Sequence, residues 1–285
     1  MRVAFLGPAG TFSEEALMLA AGKHDFEADP RATIHAAIEA VEGGEAERAF
    51  VPFENSIEGT VRPTLDALAF DTARVRIVGE HDHRVRQALI ARAGLEVEAI
   101  EVVLSHPQAS AQCARFLRES LPGAAVRTVS STSEAVREVS ESSEPWAALG
   151  SPVAAAAYGC EVLRAGVEDA DGNVTRFAWL APEGASLPDA PPRTPWRTTL
   201  VFHELGDDRP GALTDALSEL SDRGINMTRI ESRPRRSGLG RYLFFVDLEG
   251  NAADGTVAEG IDALRGKAET VRILGSYQVA GPPPL

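Results

Sequence analysis

The stretch MRVAFLGPAGTFSEEALMLAA (1–21) sets the pattern from which the fold is read: an apolar run, Val3–Leu6, the tight turn Gly7-Pro8-Ala9-Gly10, then an amphipathic segment from Phe12 to Ala21. Thr11, followed three residues later by Glu14, makes a capping box, whose side chains satisfy N–H groups that the first helical turn leaves unpaired. Strand, glycine turn and capped helix form the first half of a βα unit. The device recurs. Ser105 stands three before Gln108, with Pro107 in the first turn where its missing N–H costs nothing. Ser131 stands three before Glu134, and Ser151-Pro152 opens the helical segment Val153–Tyr158. Around these turns, apolar or β-branched runs at Ala49–Val51, Val75–Val78, Ala88–Ala91, Val102–Leu104, Val126–Val129, Ala147–Leu149 and Val174–Leu180 alternate with helical stretches. Residues up to about 180 therefore predict an α/β fold with largely parallel sheets. Such sheets bind ligands where strand C-termini meet helix N-termini, so a small anion is the expected ligand, although any single capped turn is explained without one.

Residues 181–197, APEGASLPDAPPRTPWR, carry five prolines and no apolar periodicity, and read as an interdomain linker. Beyond it the order is strand (Thr199–Glu204), helix (Gly211–Arg223), strand (Asn226–Ser232), turn (Arg235–Gly240), strand (Arg241–Leu248), helix (Thr256–Lys267), strand (Val271–Val279). That is βαββαβ, the ferredoxin-like arrangement, whose uncovered edge favours pairing with a second copy.

Composition bounds the function. A net charge of −14 over 285 residues repels polyanions. The densest basic cluster, Arg229 to Arg241, is short and interrupted by Glu231, as a solvated hairpin would be. An anionic substrate would need local donors, an arginine or helix N-termini, to overcome the global field. Cys113 and Cys160 form no C-x-x-C pair and read as buried free thiols. The first apolar run is too short for a signal peptide and no run reaches a membrane span, so a cytoplasmic location is expected. There is no P-loop, dinucleotide fingerprint or persuasive metal cluster, and no cofactor is expected. His81 and His83 share one side of a strand without a third ligand, and a solvated edge explains them more simply. Glu54 and Glu58 would pair only on a helix. With Glu54 in a turn, Glu58 is simply exposed.

Three segments are unusually polar for strand ends, around Glu54-Asn55-Ser56, Ser105–Gln108 and Asn173–Phe177. GPAGTFSEEA (7–16), VPFENSIEGTV (51–61), SHPQASAQC (105–113) and DGNVTRF (171–177) resemble, in order, the motifs of the prephenate dehydratase family. RPGALTDAL (209–217) and NMTRIESRP (226–234) resemble the ACT domain with which that family binds phenylalanine. The resemblance implies an α/β, bilobal, periplasmic-binding-protein-like catalytic region at 1–180, followed by the 181–197 linker and a ferredoxin-like βαββαβ ACT domain at 198–280. Lobe 1 would span about 1–78 and 159–180, and lobe 2 about 79–158, with the active site between them.

The implied reaction removes water and carbon dioxide from prephenate, giving phenylpyruvate, without a cofactor or metal. The ring hydroxyl leaves poorly, so the protein must offer it a strong hydrogen bond while binding two carboxylates loosely enough to release one. On the family pattern Thr175 is the donor, with Glu54 as the nearest proton partner, and Asn55 and Gln108 beside them. Arg176 would clamp a carboxylate bidentately, although by composition alone a structural ion pair accounts for it better. Ser56, Thr60, Thr11, Ser105, His106 and Phe177 complete the substrate set. Gly211, Ala212 and Leu213, at a helix N-terminus, with Asn226, Glu231, Ser232, Arg233 and Pro234, would bind the effector L-phenylalanine where two ACT domains meet in a homodimer or homotetramer. An arogenate dehydratase on the same scaffold, and a noncatalytic bilobal carboxylate sensor, are the alternatives. The sensor reading would be favoured by loss of the polar groups at Thr175, 54–56 or 105–108, and all are present.

Overall fold

A computed structural model describes residues 1–185, 194–206, 209–236 and 240–279. The chain begins with β1 (Arg2–Leu6), α1 (Phe12–Ala21), β2 (Glu27–Arg31), α2 (Ile34–Glu42), β3 (Arg48–Asn55) and the short β4 (Gly59–Thr60). It continues through α3 (Arg62–Asp66), a π-helical turn at Ala67–Asp71, and β5 (Val75–Arg84). A second series follows: β6 (Ala88–Ala91), β7 (Val102–Ser105), α4 (Pro107–Gln112), α5 (Ala114–Ser120), β8 (Ala125–Thr128), α6 (Thr132–Glu141), β9 (Trp146–Gly150), α7 (Pro152–Ala157) and β10 (Glu161–Ala165). β11 (Val174–Pro182) returns to the first sheet. The C-terminal unit holds β12 (Trp196–His203), α8 (Ala212–Ser221), β13 (Met227–Pro234), β14 (Tyr242–Glu249), α9 (Gly255–Arg265) and β15 (Thr270–Gln278), the expected βαββαβ order.

Three sheets result, ordered β2-β1-β3-β11-β5 with β4 on β3, β10-β6-β9-β7-β8, and β13-β14-β12-β15. The first two are the lobes. Both are mixed, not largely parallel: β11 runs antiparallel to β3 and β5, and β6 antiparallel to β9 and β10. β2 and β10 carry no sequence signal because they are mostly exposed edge strands, where apolar alternation is not required, and β2 includes Pro30.

The crossings between lobes fall later than expected. β5 runs past Val78 to Arg84 in the first sheet, and β10, beyond Tyr158, still pairs with β6. The polar run Glu80-His81-Asp82-His83 lies on an edge strand that is half-buried at Glu80, His81 and Asp82, with α1 and the C-terminal unit packed against it. His83 is only 4% exposed, which corrects the solvated-edge reading. At the linker's ends, Ala181 and Pro182 belong to β11, and Trp196 and Arg197 to β12; residues 186–193 lie outside the described residues, as do 237–239 of the expected 235–240 turn.

Apolar packing joins the units. Phe5, Leu17, Phe50, Phe177 and Trp179 fill the space under α1, Phe50 stacking on Phe177 with centroids 4.8 Å apart. On the sheet's other face, Val51, Phe53, Ile77 and Ala178 share one buried cluster with Val201, Phe245, Leu274 and Tyr277 of the C-terminal sheet. Gly275 lies there because any Cβ would overlap the Ile77 carbonyl. Among the described residues no helix is long and apolar enough to cross a membrane.

Candidate active site

Strand alternation sorts the polar motifs onto two faces of the first sheet. The register sets Thr175 opposite Asn55 on one side and His83 on the other, and Arg176 opposite Glu54 and Asp82. Directly opposed residues share a face, so Asn55 and Thr175 point one way and Glu54 and Arg176 the other. A register shift between Arg176 and Phe177 leaves Phe53 as an extra residue on β3. Such a bulge re-aims its neighbours. Here Pro52 and Asn55 line the cleft, while Phe53 lies in the cluster shared with the C-terminal sheet.

The cleft face encloses a cavity of about 300 Å³ lined from lobe 1 by Phe12, Ser13, Pro52, Asn55, Thr175 and Phe177, and from lobe 2 by His106, Gln108, Gln112 and the Ser130–Thr132 turn. Thr175 is 9% exposed. Its Oγ1 accepts a hydrogen bond from Asn55 Nδ2 at 2.9 Å, which leaves the threonine O–H to donate elsewhere. Asn55 is itself fixed: Nδ2 also donates to Asn173 Oδ1 at 2.7 Å, and Oδ1 accepts the N–H groups of Ile57 and Glu58, both at 2.9 Å. Asn173 Nδ2 donates across to Gln112 Oε1 at 3.1 Å, so the amide chain spans the lobes.

Helix starts surround the cavity. Thr11 caps α1, accepting from Glu14 N, and Ser131 caps α6, accepting from Glu134 N; both helices direct their positive ends at the cleft. At α4 the cap is His106, whose Nδ1 accepts from Gln108 N at 3.3 Å, and not Ser105. Ser105 is wholly buried at the end of β7 and donates to the His106 carbonyl, so it supports the turn from below. Among the described residues no lysine or arginine lines the cavity, and His106 is the one ionisable side chain that does. The lobes are latched at its rim: Ser133 Oγ and Tyr158 OH donate to the Ala9 carbonyl, at 2.5 and 3.2 Å, and Ser151 Oγ donates to the Gly10 carbonyl at 3.0 Å.

Arg176, Glu54 and Thr60 stand on the opposite face, which corrects the clamp, proton-partner and substrate-contact roles expected of them. The Arg176 guanidinium, 11% exposed, meets Glu54 and Asp247 at 2.8 Å each and Glu80 at 3.5 Å. Asp247, on β14, also takes Arg229 Nε at 3.1 Å and the Thr199 hydroxyl at 2.8 Å. Burial lowers the Arg176 pKa, but Asp247, with Tyr277 and Glu80, raises it above its ordinary value overall. Burial likewise opposes the Asp247 charge, and Arg229 and Arg176 overcome it, holding the carboxyl below its usual range. Thr60 donates to Glu231 at 3.2 Å. Ser56 ties the return of the chain, donating to the Gly172 carbonyl and accepting from Val174 N, and does not reach the cavity.

In the C-terminal unit Gly211 caps α8 with φ of 84°, ahead of Ala212 and Leu213. Along β13 the residues alternate: Ile230, Ser232 and Pro234 are exposed, as is Asn226 ahead of the strand, while Glu231 and Arg233 turn to lobe 1. Arg233 binds Asp66 bidentately, with 2.7 and 2.8 Å contacts, and Arg235 pairs with Glu204 at the α8 end of the sheet. The effector set expected from the motif is therefore divided between two surfaces.

Sequence reading missed Asn173, Gln112 and Gln87 as cavity residues. A signal existed for two: Asn173 stands within the quoted 171–177 segment, and Gln112 follows Gln108 by four on α4, hence on the same helix face.

The chain matches known families and proteins over nearly its whole length. The family model described as prephenate dehydratase matches residues 3–185 and the ACT domain model residues 200–266. A prephenate dehydratase of Mycobacterium marinum is 40% identical over 295 residues, spanning 99% of this chain and 91% of that protein. Among solved structures, the Arthrobacter aurescens prephenate dehydratase in complex with L-Phe gives a TM-score of 0.87 at 38% identity, covering 98% of this chain and 90% of that one. A protein described as a novel type of quorum-quenching acylase gives 0.87 at 35% identity, covering 99% of each chain.

Proposed function

The chain belongs to the prephenate dehydratase family, and from that premise we propose that the cleft between its lobes converts prephenate to phenylpyruvate, with Thr175 as the hydrogen-bond donor to the departing ring hydroxyl. The observation that carries this is the Asn55–Thr175 bond. With one oxygen lone pair occupied by the Asn55 amide, the Thr175 hydroxyl has its proton free for the cleft, and a hydrogen bond accepted at oxygen strengthens the one it donates. Prephenate dianion and one proton give phenylpyruvate anion, water and carbon dioxide: the ring C–O bond breaks as the hydroxyl leaves, and the pair from the breaking C–CO₂ bond enters the ring. In this reading His106, which lines the cavity, brings that proton.

The described lining residues, which include no guanidinium, suit this chemistry. A bidentate arginine on the departing carboxylate would stabilise the ground state that must be left. The N-termini of α1 and α6, with Gln108 and Gln112, offer dispersed partial charge for two carboxylates. The catalytic region takes in the two lobes, and the C-terminal domain senses L-phenylalanine, as its likeness to an L-Phe-bound relative supports. Gly211, Asn226, Ser232 and Pro234 present the exposed part of that site, with Leu213 half-buried and Ala212 buried behind Gly211, and a second copy completes it across β13, where Ile230 is 42% exposed. The working form is a homodimer or homotetramer located in the cytoplasm.

Purified protein given prephenate should release phenylpyruvate equally with and without a chelator, and more slowly with saturating phenylalanine. No product from prephenate would end the reading, and a clear preference for arogenate would reassign the substrate.

A further inference from the structure

We propose that Arg176 is a positioning residue that never touches substrate: through its ion pairs with Glu54, Glu80 and Asp247, the C-terminal domain sets where Thr175 and Asn55 stand in the cleft. This rests on reading the cleft as the dehydratase site and the C-terminal domain as the phenylalanine sensor.

Thr175 and Arg176 are joined by one peptide unit and project from opposite faces of β11. An extended strand paired on both sides has little freedom to twist one residue without its neighbour, so a displacement at Arg176 is delivered to the Thr175 hydroxyl. The partner strand is anchored in the same way. Glu54, bonded to Arg176, directly precedes Asn55, which holds Thr175 Oγ1. Two adjacent pairs thus each place one residue in the cleft and the next in the interdomain contact.

The contact is electrically complementary only when the domains meet. On the catalytic side Arg176 faces two carboxylates, Glu54 and Glu80; on the other side Asp247 lies with two guanidinium groups, Arg197 and Arg229, Arg197 pairing with Glu80. With Asp82, which also interacts with Arg176 and Arg197, the catalytic half is net negative, and the C-terminal half is net positive. Docking brings these opposite charges together, and separating them would bare charges with few alternatives, because Asp247 is 0% exposed. The Phe53 ring fixes the spacing, with the Arg176 and Arg229 guanidinium carbons each 4.9 Å from its centroid. A buried network with its oxygens committed to particular donors has discrete arrangements in place of a gradual slide, which is what a switch between two cleft states requires.

The path to the effector surface is short. Arg229 and Glu231 lie on the inward face of β13, whose outward residues carry the exposed effector motif. Glu231 accepts from Thr60, and Thr60 opposes Glu54 across β4 and β3. A shift of β13 on ligand binding therefore reaches Glu54 by two routes, through Asp247 and Arg176, and through Thr60.

The test is steady-state kinetics of the full chain on prephenate for Asp247→Asn, Glu54→Gln, Arg176→Lys, Arg176→Gln and the double variant Arg176→Gln with Asp247→Asn. Asp247 lies in the other domain, yet its loss is expected to lower kcat about tenfold, keep KM within about twofold and abolish inhibition by phenylalanine. Glu54→Gln, at a partly exposed position, should do the same more weakly and remains folded if the buried variant does not. The double variant should be no worse than its worse single parent. Hydrogen exchange at the backbone of residues 54–56 and 174–177 reads positioning without turnover: faster exchange in Asp247→Asn, no longer altered by phenylalanine, is expected. Wild-type exchange and wild-type phenylalanine response in that variant would overturn the proposal, as would an Arg176→Lys enzyme whose KM alone rises tenfold. Wild-type protein that makes no phenylpyruvate would instead defeat the catalytic reading, and the exchange data would still decide the positioning.

Discussion

The two faces of the first sheet are built from the same two strand ends, yet one is an uncharged hydrogen-bonding surface and the other a packed ion network. On the cleft face, Asn55, Asn173 and Thr175 exchange neutral hydrogen bonds beside helix N-termini. One residue away, Glu54 and Arg176 meet Asp247 and Glu80 under a second domain. The difference shows that a short motif can hold two jobs when its backbone is extended: alternate residues face different partners, and motif membership does not say which.

The largest expected effect lies on the cleft face. Thr175→Ala should lower kcat by about 100-fold or more with little change in KM, a loss of roughly 3 kcal/mol of transition-state stabilisation. Steady-state rates with prephenate, on protein shown folded by circular dichroism, check it, and near-normal kcat would remove Thr175 from the role. Asn55→Asp comes next. It keeps the oxygen that accepts from Ile57 and Glu58 but replaces the donor to Thr175 with an acceptor, which should capture the threonine proton and depress kcat by about 10- to 100-fold.

On the other face, Gly275→Ala should cost about 1–3 kcal/mol in chemical denaturation, because the added methyl overlaps the Ile77 carbonyl and forces the C-terminal sheet from β5. The same variant should blunt the response to phenylalanine. A fully stable, normally inhibited Gly275→Ala would mean the interdomain packing matters less than the faces imply.

The smallest effect concerns a pair beneath the cleft. Glu15 Oε2 and His83 Nε2 lie 4.0 Å apart, each without a hydrogen-bond partner among the described residues. Burial raises the Glu15 pKa to about 7, while burial, with His81, lowers that of His83 to about 4. A raised carboxyl favours the folded state at low pH and loses that advantage as pH climbs from about 4.5 to about 7. A depressed histidine favours the folded state at high pH and loses that advantage as pH drops from about 6.5 to about 4. The slopes oppose between about 4.5 and 6.5, so wild-type stability should be flat there with respect to this pair. His83→Gln should make stability fall with rising pH, and Glu15→Gln should make it fall with falling pH, each by at most about 1.4 kcal/mol per pH unit. Unfolding midpoints across pH 4.5–6.5 check this; parallel profiles for both variants would deny the pair its opposed titrations.

Local patterns made most of the fold legible. Caps at Thr11, Ser131 and Ser151 fixed helix starts, and the βαββαβ order followed from periodicity, with boundaries within a few residues. Edge strands escaped because exposed backbone pairing asks little of side chains, as at Glu27–Arg31. His81 and His83 looked solvated because what buries them, α1, is distant in sequence. At the site, Thr175, Asn55, Gln108 and His106 were legible through their motifs. The orientation of Arg176 was not, since it depends on a bulge at Phe53 and on Asp247, seventy-one residues further on.

A crystal structure of this protein with a dicarboxylate analogue of prephenate bound would test the division of faces most directly. The ligand should lie between Asn55, Gln108 and Thr175, with an oxygen within hydrogen-bonding distance of Thr175 Oγ1 and Arg176 still paired to Asp247. A ligand carboxylate held by the Arg176 guanidinium would contradict the account.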